Sequence, residues 1–594
     1  MCGVVAVLGA DAPIRASNLA EALGHRGPDS SGQHDFDGCS LAMTRLAVLD
    51  PTARADQPMG FEGRHLVYNG EPYNFRALRS ELESAGLSFV STGDTEVVLK
   101  ALVFWGADAL ARLRGMYALA LWNDRRRELW LARDAYGIKP LYWCPLPGAL
   151  VVASEATPLA SASDRGIDLD AAREFLRFGS PISSCIYRDI VEVEPGTLTI
   201  WAADRSRSST RFVERFPVEG NPAAAARAAA QSQLVSDRPV ALYLSGGFDS
   251  AAVASAAAAT GNPPTALTLC TEGNTEDVIR AERTARRYGL EHRRIDMPRS
   301  GIARWLPRYV MAMDQPTIDG FNTYLISRAA VEAGFPVALS GLGGDEVLAG
   351  YGYHRRLRQV DVASAVWRKS PRLLRRAQAA VIARVLGRRP GAVGEIFAAE
   401  TLPARHQAWR SLFTTGEVAQ LTGGDSGGSV RWTSDPREPR RRQLSQLDIG
   451  TYLRPVLLRD ADVFSMANSV EIRIPFLDES FVASAWARER PLTKADLAHE
   501  WRDPYLVDVA RSRKLTFALP WRAWIRTVLT DQQQTLGAAD PWHGLLDPDA
   551  ARSVIERDSR TGSSNPQRAW ALLVLAMWLG RPATERRFPG VAVA

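Results

Sequence analysis

The sequence predicts a multidomain α/β protein, and three observations carry that reading. Short apolar runs bounded by Gly, Asn or Asp fill the first third. From residue 240 short apolar strands alternate with helical stretches and end in Gly-rich loops, the pattern of a doubly wound parallel sheet. Beyond about residue 357 the apolar spacing is helical and no strand is evident. The chain has 594 residues, 46% hydrophobic and 23% charged, which is ordinary for folded domains and excludes a disordered or fibrous chain.

Taken in order, strands are expected at 1–8, 41–49, 65–68, 117–122, 128–132 and 149–154, and helices at 74–85 and 95–105. Asn123-Asp124-Arg125 is a hairpin turn between two of these strands. A polar stretch at 206–221 reads as the linker between a unit at 1–205 and one at 222–594. The second unit opens with an Ala-rich helix at 222–234, followed by buried strands at 240–244, 266–270 and 337–339.

No run of about 18 apolar residues occurs, so no membrane span is expected. The N-terminus lacks the pattern of a secretory signal, and the five cysteines show neither disulfide nor zinc spacing, so a cytoplasmic protein is expected. The net charge of +6 is uneven: residues 354–389 hold eleven Lys/Arg and one acid, leaving the rest of the chain at −4. There Leu374, Ala377, Val381 and Val385 fall at helical spacing, and the expectation is a helix packed on its domain with a solvated basic face. With a single aromatic residue, Trp367, among the charges rather than an interleaved series, nucleic acid is not expected as a partner.

Cys2 follows the initiator Met. Removal of Met1 would set the thiol beside its own α-amine, a base of pKa about 7.7–8 that can activate it. Further motifs are His25-Arg26-Gly27-Pro28-Asp29, Thr44-Arg45-Leu46, Tyr68-Asn69-Gly70-Glu71, Gly93-Asp94-Thr95-Glu96, Arg133-Asp134, Gly137-Ile138-Lys139-Pro140-Leu141-Tyr142 and Ser154-Glu155. Together with Met1-Cys2-Gly3, and in this order, they resemble the glutaminase domain of class II glutamine amidotransferases from residue 1 to about 201. The resemblance implies an N-terminal-nucleophile αββα sandwich that takes L-glutamine. Cys2 is then the nucleophile. Arg45 offers its planar fork to the α-carboxylate, and Asp94 with Glu71 pairs with the α-ammonium. The Asn69 amide and the Gly70 N–H donate to the oxyanion.

Ser245-Gly246-Gly247-Phe248-Asp249-Ser250 follows a strand and opens a helix, where backbone N–H groups can hold an anion. It is not a Walker A loop, because no Gly-Lys-Ser/Thr follows. It resembles the pyrophosphate loop of ATP pyrophosphatases, which cleave between the α and β phosphates. ATP at Ser245, Gly246, Gly247, Asp249 and Ser250, with Mg²⁺ on Asp249, is implied. A second loop, Ser340-Gly341-Leu342-Gly343-Gly344-Asp345-Glu346, ends the strand at 337–339. Asp345 is the second Mg²⁺ carboxylate, Ser340 and Gly341 lie near AMP, and Leu242 and Leu269 are expected against the nucleoside.

Two more segments follow, Asp462–Ala467 with Glu471–Asp478, and Lys514–Pro520 with Trp524. All four resemble the synthetase domain of the asparagine synthetase family, which includes β-lactam synthetase, over about 240–524. The resemblance assigns Lys514 to the phosphates and the charge developing on the adenylated acceptor. Only five lysines occur in the chain. One departure is Leu342, where asparagine synthetases usually carry Glu. Either another acid or water takes its place, with Glu346 and Glu471 as the candidates, or the acceptor is not aspartate.

The chain is thus expected to be a glutamine-dependent amidotransferase that consumes ATP and amidates a carboxylate. Aspartate is the default acceptor; a carboxylate of a glycan or secondary metabolite is the alternative, and a non-enzymatic scaffold is the reading of another class. A homodimer is the candidate assembly.

Overall fold

The computed structural model describes residues 2–9, 14–212, 220–271, 275–297, 301–424, 434–513, 524–526, 528–529, 539–560 and 565–581. Lys514 and the segment through Pro520 lie outside the described residues.

Two six-stranded antiparallel sheets build the first unit. One contains β1 (Cys2–Leu8), β2 (Ser30–Phe36), β3 (Cys39–Arg45), β8 (Tyr142–Leu146), β9 (Ala149–Ala153) and β10 (Val191–Glu192), in the order β10-β8-β9-β1-β3-β2. The other contains β4 (Met59–Phe61), β5 (Arg64–Pro72), β6 (Gly115–Asn123), β7 (Glu128–Arg133), β11 (Thr197–Ala202) and β12 (Arg207–Arg211), in the order β12-β11-β7-β6-β5-β4. Val4, Ala6 and Leu8 pack against Val67, Ala118 and Leu131 across the gap between the sheets. Val5 and Val7 point the other way, onto the helices Ala16–Ala22 and Ala156–Ser163. On the far side Leu66, Leu119 and Leu121 meet the helices Phe75–Ser84 and Asp94–Trp105. The result is an αββα sandwich. Because β1 is covered on both faces, it is a continuous apolar run rather than an alternating one.

The second unit holds a parallel sheet of β13 (Val240–Tyr243), β14 (Thr265–Cys270), β15 (His292–Asp296), β16 (Val337–Leu339) and β17 (Glu471–Arg473), in the order β15-β14-β13-β16-β17. β13 is central, with Leu242 opposite Ala266 on one side and Leu339 on the other. The chain leaves β16, runs through a long helical region, and returns as β17 beside it.

The structure adds strands that the sequence reading did not expect, namely β2, β4, β8, β10, β11, β12, β15 and β17, and three of them show why. β2 is polar and largely exposed, so it carries no apolar signal. β12 lies inside the stretch read as linker; it is an edge strand whose five residues are all exposed. β17 lies in the third that reads as wholly helical; it spans three residues, too short to show a period.

Candidate active sites

The first site forms where β1, β3 and β5 end together. Cys2 pairs with Arg45 across β1 and β3 and is buried. Its backbone N–H donates to Asn69 Oδ1 at 3.0 Å. The Asn69 side-chain nitrogen is buried and has no hydrogen-bond partner among the described residues, so a donor is left over beside the thiol residue. At Gly70, opposite Tyr117, a Cβ would lie 2.3 Å from the Met116 carbonyl, so only glycine allows β6 to approach. Burial pushes the Cys2 thiol up, and Arg45 is among the groups opposing it.

Arg45 itself is fixed. Its Nη1 donates to Thr52 O (3.2 Å) and Asp56 Oδ1 (2.9 Å), and its Nη2 to Leu49 O (3.0 Å) and Asp50 O (2.5 Å). The guanidinium thereby shapes the loop between β3 and β4. Asp94, at the head of its helix, is buried; burial pushes it up to about 6 against the Tyr68 hydroxyl, which favours the carboxylate. Glu71 is raised further by burial and by Asp94, and Arg473 opposes this. Glu71 Oε1 and Asp94 Oδ2 are buried without hydrogen-bond partners among the described residues. Two acceptors with nothing to accept from suit an incoming ammonium group.

Between the two units runs a buried network of charges. Arg26, wholly buried, donates to Cys2 O (3.3 Å), Glu155 Oε1 (2.8 Å) and Asp462 Oδ2 (2.6 Å). Lys139 reaches the other oxygen of Asp462 at 3.3 Å, and His25 Nε2 lies 2.9 Å from Glu155. Burial would raise Glu155, but His25 and Arg26 hold it down at about 2. A second bridge joins Glu71 to Arg473 (3.3 Å) and Arg473 to Glu471 (2.6 Å). Glu71 and Glu471 are therefore linked through one guanidinium that spans the domain junction.

The second site lies at the carboxyl ends of β13 and β16, where an open parallel sheet presents its loops to ligand. Ser245 and Ser250 hydroxyls sit 3.0 Å apart, and the Gly246 N–H donates to Asp277 (2.9 Å). The two loops are in contact: a Cβ at Gly341 would come 2.7 Å from Ser250 N, and one at Gly344 2.5 Å from Asp249 Oδ1. Asp249 and Asp345 converge on a single cation. Lys494 Nζ lies 2.5 Å from Asp249 Oδ2 and 2.6 Å from Asp345 Oδ1. Burial works against the ammonium, yet the two carboxylates hold its pKa above the ordinary lysine range. A pair of carboxylates already gathered around a cation fits Mg²⁺, which protein sites commonly hold by one or two carboxylates together with phosphate.

Of the two leucines expected against the nucleoside, Leu269 comes to the end of β14. Leu242 packs instead into the core, because β13 is the central strand and both of its faces are covered. Leu342 is half-buried on the same apolar cluster. Glu346 is buried and accepts from the Tyr351 hydroxyl; burial and Asp345 push it up to about 7. Beside it the Arg410 guanidinium stacks 3.6 Å over the Tyr452 ring. His354 and His406 flank Asp448 at 2.8 and 2.9 Å. Trp524 is buried between Phe321 and Trp570.

The family described as "Glutamine amidotransferase domain" matches residues 1–213, and the family described as "Asparagine synthase" matches residues 223–580. The chain belongs to the glutamine-hydrolysing asparagine synthetase family. A putative asparagine synthetase of Mycobacterium tuberculosis is 30% identical, with 97% of each chain covered. Asparagine synthetases 1 and 3 of Bacillus subtilis are each 26% identical, covering 99% and 91% of this chain and 98% and 90% of their own. Lys494 is the candidate site residue that the sequence motifs did not single out. Its surroundings, Thr493 to Asp496, read as a capped helix start, and the capping box is present. The rarity of lysine was the one signal that could have pointed to it.

Proposed function

We propose that this chain releases ammonia from glutamine at Cys2 and uses it to amidate a carboxylate that it first activates with ATP. The observation that carries the reading is the convergence of Asp249 and Asp345, from loops on neighbouring strands, on Lys494. At the first site the Cys2 thiol attacks the glutamine amide and forms a thioester, with its own α-amine as base after Met1 is removed. The free Asn69 amide nitrogen and the Gly70 N–H meet the oxyanion. Glu71 and Asp94 take the α-ammonium. With both Nη atoms of Arg45 engaged by the loop, its Nε edge and the loop it shapes are what remain for the α-carboxylate.

At the second site the serine and glycine loops hold ATP. Asp249 and Asp345 would hold Mg²⁺, which neutralises phosphate charge when bound. Lys494, released from the pair, then faces the phosphates. The acceptor carboxylate displaces pyrophosphate, and ammonia displaces AMP. Five free cysteines, one of them the nucleophile, suit a reducing cytoplasm.

Leu342 bears on the acceptor. Leucine offers no charge to an α-ammonium, and of the two candidate acids Glu346 is hydrogen-bonded to Tyr351 and Glu471 is paired with Arg473. Aspartate is therefore a poor acceptor on this reading, weakened by about ten- to a hundredfold for one lost charged hydrogen bond. ATP–pyrophosphate exchange screened over carboxylates, aspartate included, tests it. Exchange strongest with aspartate would return the default acceptor. Release of ADP and phosphate in place of AMP and pyrophosphate would sink the proposal.

A further inference from the structure

Helices Tyr353–Lys369 and Arg372–Leu386 form a hairpin joined at Ser370-Pro371. Sequence periodicity sets Leu374, Ala377, Val381 and Val385 against the body of the domain. The structure turns this stripe outward: Leu374 is 50% exposed, Val381 62% and Val385 81%, with Ala377 exposed between them. The buried face of the second helix carries Ala379 and Ala383 instead, small enough for the helix Pro390–Ala398 to pack close. Leu373, Val362 and Val366 are exposed as well. Six of the eleven large apolar side chains exposed among the described residues thus fall within residues 362–385, a concentration on one pair of helices rather than scatter over the chain.

Charge accompanies these side chains. Arg355, Arg356, Arg358, Lys369, Arg372, Arg376 and Arg384 are exposed, and none of them forms an ion pair among the described residues. Asp361, the one acid of 354–389, is committed to Arg405 and Arg440. Arg388 is pushed down to about 10 by burial and by its neighbours Arg356 and Arg389. At the start of the second helix lies a cavity of about 570 Å³, lined by Trp367, Leu373 and Ala379 together with Arg372, Arg375 and Arg376.

We propose that this hairpin docks the protein on a membrane surface rich in anionic phospholipid. The outward stripe enters the interface, the surrounding arginines meet headgroup phosphates, and the cavity seats one headgroup. A helix with an apolar stripe and an Arg-rich flank suits this placement, because long Arg side chains keep their charge at the headgroups while their stems lie in the apolar layer. A second copy of the chain fits less well, since a two-fold contact would bring the same arginines face to face. Nucleic acid is disfavoured by the exposed aliphatic stripe and the lack of exposed aromatic rings in it.

The test is flotation of the purified full chain with vesicles of phosphatidylcholine alone, or with about one-third phosphatidylglycerol, at low and high salt. Binding to the anionic vesicles should exceed binding to the neutral ones by about tenfold or more and fall as salt rises. Val381→Glu with Val385→Glu, and separately Arg372→Glu with Arg376→Glu, should each lower that binding by about tenfold or more. Glutaminase rate and melting temperature should stay as in the parent, which separates lost docking from lost folding. Equal binding to both vesicle types, or anionic binding that survives both double variants, overturns the proposal. So does a solution dimer that Val381→Glu dissociates with no vesicle binding, or capture of an acidic protein with none.

Discussion

Lys494→Ala tests the second site most directly. Both carboxylates lie within 2.6 Å of one nitrogen, so their oxygens are no more than about 5 Å apart once the lysine is gone. At an effective dielectric of about 20, two unit charges at that distance repel by about 3 kcal/mol. That is enough to raise the pKa of one carboxylate by about two units. The free variant should therefore melt earlier than the parent, and Mg²⁺ without nucleotide should stabilise it more than it stabilises the parent, where the ammonium already fills the position. AMP and pyrophosphate formation should fall by about 10²–10³-fold, the usual loss for one group facing developing charge. Glutamine hydrolysis should persist. Melting curves with and without MgCl₂, read beside a pyrophosphate-release assay, decide the matter. A variant that melts as the parent does, shows no added response to Mg²⁺ and forms pyrophosphate at the parental rate would refute the reasoning.

Three further outcomes are expected. Cys2→Ala should end glutamine hydrolysis yet keep ammonia-dependent amidation, and mass spectrometry of active protein should find a chain beginning at Cys2; an active preparation retaining Met1 contradicts the site. The glutamine KM should rise about tenfold from pH 7 to pH 5, because Asp94, held at about 6, must be ionised to pair with the α-ammonium and is protonated as pH falls through that value. Asp94→Asn should raise the KM at pH 7 and flatten the profile, and an unchanged profile in that variant would exclude the role. Arg26→Met should cost about 3–5 kcal/mol by leaving Glu155 and Asp462 buried without their shared cation. It should also raise glutamine hydrolysed per pyrophosphate formed, and a parental ratio would show that the junction does not couple the sites.

What could be read from the sequence was what local chemistry dictates. The loops after β13 and β16 announce themselves because strand, glycine turn and acidic residue are contiguous, and the chemistry expected of them needs only that the two strands be neighbours. Cys2, Asn69 and Asp94 were legible by type, but their meeting depends on the pairing of β1 with β3 and on the crossing of two sheets, which no local pattern reveals. The Glu71–Arg473 and Arg26–Asp462 bridges join residues hundreds apart, and nothing in the motif around any one member announces its partner. The hairpin at 353–386 misled for a physical reason. Periodicity reports that a helix has an apolar stripe, not which way it faces, and alanine on the opposite side packs as well as leucine where a neighbouring helix comes close.

The order of the parallel sheet also sets what can vary. The nucleotide end is framed by β13, its immediate neighbours and the loop that follows β16, whereas residues 347–470 leave from that loop and come back to the strand next to it. An excursion closed by two adjacent strands can lengthen, shorten or change its surface without shifting the register of the others. Tyr351, Arg410 and Tyr452 and the basic hairpin all belong to that excursion. Choice of acceptor and place of attachment are therefore adjustable together, on a frame whose phosphate chemistry stays still.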